Sequence, residues 1–306
     1  MKERKEKKTR PRANSRLNRK EWVAGYLFLL PNFIGFLIFT AIPVVMGFYI
    51  SLTDYSGYGE KNFVGIANYA KMFSDSDFQA ALQNNLIYSL TSVPLTILFA
   101  LLLALALNRK LYGGKLFQTV YFFPNLTSMV AVGCVWLQMF NSKKGPINQM
   151  LTGLLGVDKP PKWFMGTSTA LMTVVIVVVW KQAGYYMVMF MGGLKNIPAH
   201  LYEAAKIDGA GPWQCFKNVT WPMLSPTTFM VTILTFIASF QVFDIINVTT
   251  EGGPGRATEV LVMRIYKEAF KYARMGYGSA IGYFLFFIIF VITLIQWRGQ
   301  RKWVVE

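Results

Sequence analysis

One histidine and two cysteines are too few to build a metal centre or a disulfide framework. Cys134 and Cys215 stand in different segments, and the expected place for each is among buried apolar side chains. Charge is scarce as well: charged residues make up 15% of the chain, against about 25% in a typical soluble domain. Acidic residues are the rarer sign, 15 against 31 Lys and Arg. The phosphate-cradling pattern G-x-x-x-x-G-K-[ST] is absent, so ATP is not expected to bind this chain. No nucleophile, metal cluster or carboxylate pair gathers at one place, which leaves no catalytic group and no cofactor to name. His200, the sole histidine, has no cysteine cluster beside it and reads as an ordinary residue of a helix end.

What fills the chain instead is apolar sequence, 54% of the 306 residues. The net charge is +16, but ten of the basic residues fall between Met1 and Lys20. A run of 32 residues without charge follows, Trp22 to Thr53. That arrangement argues against nucleic acid and for the cytoplasmic flank of a first membrane helix, facing anionic head groups. The run is too long for a cleavable signal, whose apolar region is about 7–15 residues.

A spanning helix needs about 20 mostly apolar residues. Six segments qualify, near 23–52, 84–107, 116–140, 166–193, 223–247 and 276–297. With the N-terminus inside, the inner pieces hold 19 basic residues and the outer pieces 11. Both ends are therefore expected in the cytoplasm, as tails over 1–22 and 298–306 around a domain of 23–297. Trp22, Trp163, Trp297 and Trp303 fall near span ends, where amphipathic rings favour the interface. Pro31, Pro43, Pro94 and Pro124 lie within or at the edges of spans, where they kink helices around a pathway.

The inner loop of about 194–222 is too polar to span. Pro198 suits the first turn of a short helix and Gly209 its left-handed end. Leu201, Ala204, Ala205 and Asp208 share a face at i, i+3, i+4 and i+7. Glu203 and Asp208 offer carboxylates to a basic partner. By pattern alone, a short interfacial helix without a partner fits equally well.

Here the chain resembles a family. Glu203-Ala204-Ala205, three residues, Gly209, nine residues, then Val219-Thr220-Trp221-Pro222 is similar to the cytoplasmic signature of bacterial ABC importer permeases, E-A-A-x-x-x-G, nine residues, I-x-L-P. Val219 and Trp221 depart from that pattern; Glu203, Gly209 and Pro222 keep it. Phe63-Val64-Gly65-Ile66-Ala67-Asn68-Tyr69 resembles the family's first outer loop. Gly145-Pro146-Ile147-Asn148 and Thr250-Glu251-Gly252-Gly253-Pro254-Gly255 resemble its carbohydrate subgroup, on the MalF-type rather than the MalG-type side. The resemblance implies an all-α type I importer permease of the bacterial inner membrane, with six spans and a coupling helix. It further implies a second, MalG-type permease, two copies of a cytoplasmic ATPase and an external solute-binding protein. Glu203, Ala204, Ala205, Asp208, Gly209 and Pro222 become the ATPase-coupling residues.

Polar groups at membrane depth mark a solute path. Lys181 falls near the middle of the fourth span and either lines that path or snorkels to an end. Gln182 and Tyr185 follow it. Asn125 on the third span, and Ser239 and Gln241 on the fifth, complete the candidate set, with Phe240 and Phe243 beside them. For Thr235 and Ser239 a hydrogen bond between helices is the simpler role. Donors, acceptors and an aromatic suit a sugar, and the resemblance puts the central cavity on these three spans. Sugar, oligosaccharide and glycerol-phosphate-like solutes all remain open. A secondary transporter would need intramembrane carboxylates and broken helices in repeated halves; neither is evident, Asp244 lying near an outer end.

Overall fold

A computed structural model describes residues 15–109 and 112–303 of the chain. The expected basic tail lies outside the described residues as far as residue 14, as do 304–306 of the C-terminal tail. The chain forms two compact units that meet in sequence at Ile50 and Ser51.

The first unit holds the first membrane helix. It consists of α1 (Ser15–Phe36), a wider π-helical turn at Leu37–Ala41, and α2 (Ile42–Ser51), which closes it. The wide turn falls where the Pro43 ring would otherwise press on the carbonyl four residues back.

The second unit is helical, and a single antiparallel bridge, Thr53–Phe63, is its one β contact among the described residues. A short α3 (Ala67–Ser74) leads into α4 (Ser76–Leu107). At 32 residues, α4 is about 48 Å long, well beyond a hydrocarbon core of about 30 Å. It begins two turns before the expected boundary at 84, because Asp75 caps it, accepting from the Asp77 N–H at 2.9 Å, and the first turns are polar.

The expected third span, 116–140, is not one helix. It divides into α5 (Gly114–Leu126) and α6 (Met129–Met139), bent by 100°. The Pro124 ring weakens the helix. Thr127 then turns extended, its hydroxyl donating to the Pro124 carbonyl at 2.7 Å. Among the described residues five helices are long and apolar enough to cross a membrane, and the bent pair supplies a sixth candidate span.

Next comes the short α7 (Pro146–Leu155), followed by α8 (Ala170–Lys195), the most buried of the long helices. Next are α9 (Ala199–Ile207), the single turn α10 (Pro212–Cys215), a π-turn at Phe216–Thr220 and the single turn α11 (Trp221–Met223). The fifth span is also interrupted: α12 (Ser225–Phe240) stops, and α13 (Asp244–Thr249) restarts after three irregular residues. Finally α14 (Leu261–Tyr266) and a π-turn at Lys267–Lys271 precede α15 (Met275–Trp303), which continues as helix past the expected end at 297.

The core is built on α8, which packs along α4 on one side and α5 on the other. Val174, Val177, Met187 and Phe190 are completely buried there. Gly184 allows the approach of α5, since an added Cβ would collide with the Tyr121 carbonyl oxygen. Gly184→Ala must push the two helices apart, at a cost of about 1–3 kcal/mol. Thermal unfolding in detergent should register that loss; an unchanged midpoint would mean that α5 and α8 are not in contact. The cysteines depart from expectation: Cys134 is exposed and Cys215 half-buried. A thiol behaves as a small apolar group, so the outer face of a membrane helix accepts it as readily as a core does.

Candidate solute cavity and coupling surface

The two interrupted helices meet at one cavity. It has a volume of about 160 Å³ and is lined by Tyr88 of α4, Met129 of α6, Val178 and Gln182 of α8, and Gln241 and Asp244 at the α12–α13 break. Irregular backbone at membrane depth needs partners for its freed N–H and C=O groups, and it persists where it is buried in protein or lines a polar cavity. Gln241 sits at such a point: φ −101°, ψ 11°, its N–H reaching only back to the Ala238 carbonyl. A smaller recess follows along α4 toward its C-terminal end, between Ser92, Thr96, Gln182, Thr235 and Ser239. Its volume of about 10 Å³ matches a single water molecule.

Of the sequence-derived pathway residues, the structure brings Gln182 and Gln241 to the cavity and Gln182 and Ser239 to the recess. Lys181 and Asn125 belong to a neighbouring contact. The Lys181 side chain is buried against α5 and its Nζ donates to the Asn125 carbonyl at 3.2 Å. It does not line this cavity; it bonds a carbonyl near the α5–α6 bend. Tyr185, one turn on, is 40% exposed and rests on Tyr186, outside the cavity. Ser239 does bridge helices, donating to Ser89 Oγ at 2.9 Å, whereas Thr235 bonds back to Val231 within its own helix.

Sequence reasoning missed the contribution of α4. Asn85, Tyr88, Ser89, Ser92 and Thr96 are all buried. Their spacing of three and four residues puts them on one face, a signal present in the sequence as polar residues recurring through an apolar run.

The loop after α8 presents a different surface. α9 ends in two reciprocal bonds, Gly209 N–H to the Lys206 carbonyl at 3.1 Å and Ala210 N–H to the Ala205 carbonyl at 2.9 Å. That is a Schellman closure, with Gly209 at φ +78° as expected. Pro198 precedes the helix as its N-cap rather than lying in the first turn. The shared face needs correction. Leu201 and Tyr202 turn inward and pack, with Phe216 and Val219, against the buried cluster that contains Leu194, Ile197 and Leu224, and Tyr202 bonds Thr220 Oγ1 at 3.0 Å. Glu203, Ala204, Ile207 and Asp208 are exposed, with Ala205 half-buried. Ile207, 86% exposed beside Glu203, is a surface feature the sequence reading passed over. Pro222 lies in the first turn of α11, where no N–H is needed.

Toward the other end of α4, an ion cluster ties three segments together. Arg264 of α14 is 7% exposed and meets Asp77 at 2.9 Å, Asp75 at 3.2 Å, Glu259 at 3.5 Å and Glu268 at 2.8 Å. Burial opposes ionisation of Asp75, but the Tyr277 hydroxyl, the Asp77 N–H and Arg264 outweigh it and hold the carboxyl below its ordinary value. Burial dominates at Glu268 and raises its carboxyl, with Arg264 and Arg274 pulling the other way. The outer-loop motifs have parallel tying roles. Asn68 donates to the Ser51 and Thr53 carbonyls, and Asn148 accepts from Trp163 Nε1 at 2.6 Å.

Residues 92–298 match the family model described as the binding-protein-dependent transport system inner membrane component. The chain is 35% identical to the trehalose/maltose transport system permease protein MalF of Thermococcus litoralis, over 94% of this chain and 97% of that protein. It is 34% identical to the sn-glycerol-3-phosphate transport system permease protein UgpA of Agrobacterium fabrum, over 92% of this chain and 95% of the relative. Among solved structures, a chain of a bacterial alginate ABC transporter, in complex with its alginate pentasaccharide-bound periplasmic protein, superposes with a TM-score of 0.81. The two are 25% identical, covering 93% of this chain and 96% of that one.

Proposed function

The chain belongs to the family of binding-protein-dependent transport system inner membrane components, and from that premise we propose that the cavity at its two helix breaks is its part of the solute path. It is the multi-pass permease subunit of an ABC importer for a carbohydrate. The exposed α9 surface, Glu203 to Gly209, is its contact with a separate ATPase. The observation that carries the reading of the path is the meeting of two broken spans, at Met129 and at Gln241, beside Gln182 of α8. Helix breaks free backbone polar groups at membrane depth, and a solute rich in hydroxyls is their natural partner.

A single coupling helix serves a single ATPase. Two ATPase copies therefore call for a second permease, and solute delivery calls for an external binding protein, as in the alginate complex. Native mass measurement of the complex carrying a tag on this chain tests this. The expected composition is one copy of this chain, one different permease and two ATPases. A transport-competent homodimer would contradict it.

Both termini lie in the cytoplasm on this reading, supported by the inner excess of Lys and Arg and by a bent α5–α6 pair that crosses. A reporter fused after Glu306 should be active only as a cytoplasmic marker. An external C-terminus would mean that the bent pair turns back, leaving an odd number of crossings.

The cavity residues carry a further expectation. Gln182→Ala and Gln241→Ala each remove a hydrogen-bonding contact worth about 1–3 kcal/mol. Uptake should fall roughly fivefold to a hundredfold for the two variants, without loss of assembly. Unaltered uptake in both would move the path elsewhere.

A further inference from the structure

Asp244 has no role in the reading so far, yet it is the one charged side chain lining the cavity. It differs from the carboxylates of the ion cluster in having no ion pair. Asp75, Asp77, Glu259 and Glu268 all meet Arg264, while among the described residues Asp244 meets no cation. It is exposed at the break and lines the cavity together with Gln241 and Gln182. No Lys, Arg or His lines the cavity. Lys181, next to the lining residue Gln182, directs its Nζ to the Asn125 carbonyl instead, and Arg256, the nearest cation to Asp244 in sequence, pairs with Asp77.

These features have a definite chemistry. An ionised carboxylate is an acceptor with two oxygens, so it takes two hydroxyl donors from a vicinal diol. The neighbouring amides supply both donors and acceptors. A phosphate or a uronate carboxylate entering the same space would face a like charge with no cation to offset it. At a separation of about 4 Å that repulsion is worth roughly a fivefold preference or more. We propose that Asp244 makes this cavity selective for uncharged, hydroxyl-rich solutes and against those bearing phosphate or carboxylate. The proposal rests on the cavity being the solute path. It removes glycerol phosphates and acidic oligosaccharides from the classes the sequence left open, although relatives named for such solutes share the fold.

The test uses cells carrying the complete importer and cells lacking only this chain. Both are given a polysaccharide hydrolysate supplemented with glycerol 3-phosphate and alginate oligosaccharides, and accumulated solutes are identified by mass spectrometry. Chain-dependent accumulation should be confined to uncharged sugars. Asp244→Asn, which keeps size and loses charge, should lower uptake of the accumulated sugar about tenfold or more, since hydrogen bonds to charged groups are the stronger kind. The amount and melting temperature of the D244N complex serve as the folding control. Chain-dependent accumulation of either anion, or full uptake by D244N, overturns the inference and leaves the importer reading intact. If nothing accumulates in a chain-dependent way, the importer reading fails and the inference fails with it.

Discussion

Gly209→Asp should abolish uptake while the complex still inserts, and Glu203→Ala should lower it less. Gly209 closes α9 at φ +78°, a conformation that costs a residue with a Cβ roughly 1–2 kcal/mol. Within the chain nothing lies within 4 Å of an added Cβ there, so strain is the whole intramolecular penalty. A penalty that small leaves a folded chain folded. The larger effect arises where the α9 surface meets the ATPase. There a side chain on Gly209 stands on the exposed surface beside Glu203 and Asp208 and obstructs the approach of the partner. Glu203→Ala keeps the helix, alanine being the best helix former, and removes only the charge. The measurement is ATPase retained on purified membranes together with solute uptake. Normal values of both in the two variants would reduce α9 to an interfacial helix.

Arg264→Ala should destabilise the second unit by about 3–5 kcal/mol, the usual consequence of removing one partner from a buried ion pair. Four carboxylates converge on this guanidinium, and deleting it leaves them near one another with Arg256, Lys267 and Arg274 as the remaining paired cations. The damage should spread, because the cluster ties the α3–α4 junction to α14 and to the turn before α15. Arg264→Lys should recover only part of the loss, since an ammonium lacks the planar fork that reaches several carboxylates at once. Thermal unfolding in detergent reads both variants. Equal midpoints for wild type and Arg264→Ala would mean that the cluster does not hold these segments.

The sequence made the membrane class, the long spans and the loop signature legible, because each is a local property. Apolar length reveals a span, and the Glu203, Gly209 and Pro222 spacing is fixed along the chain. The breaks were less legible. Pro124 was visible as a kink, but a bend of 100° depends on Thr127 turning extended and on Lys181 reaching the Asn125 carbonyl across 56 positions. The α12–α13 break has no proline at all; Gln241 reads as a polar residue on a continuous span and Asp244 as one near its outer end. Lys181 illustrates the same limit: it stands within the long helix α8, and its partner carbonyl belongs to another helix. The ion cluster was hidden differently. Five basic residues in 248–275 appeared only as charges weakening the inner bias. In the fold four of them, Arg256, Arg264, Lys267 and Arg274, meet carboxylates.

ATP-driven uptake into proteoliposomes tests the central claim most directly. The complex containing this chain is reconstituted with ATP enclosed on the ATPase side and the binding protein with labelled sugar on the other. Accumulation against a gradient should require ATP hydrolysis, stop with a non-hydrolysable analogue, and stop with the Gly209→Asp chain. Accumulation driven by an ion gradient without ATP would contradict the account and make the chain a secondary transporter.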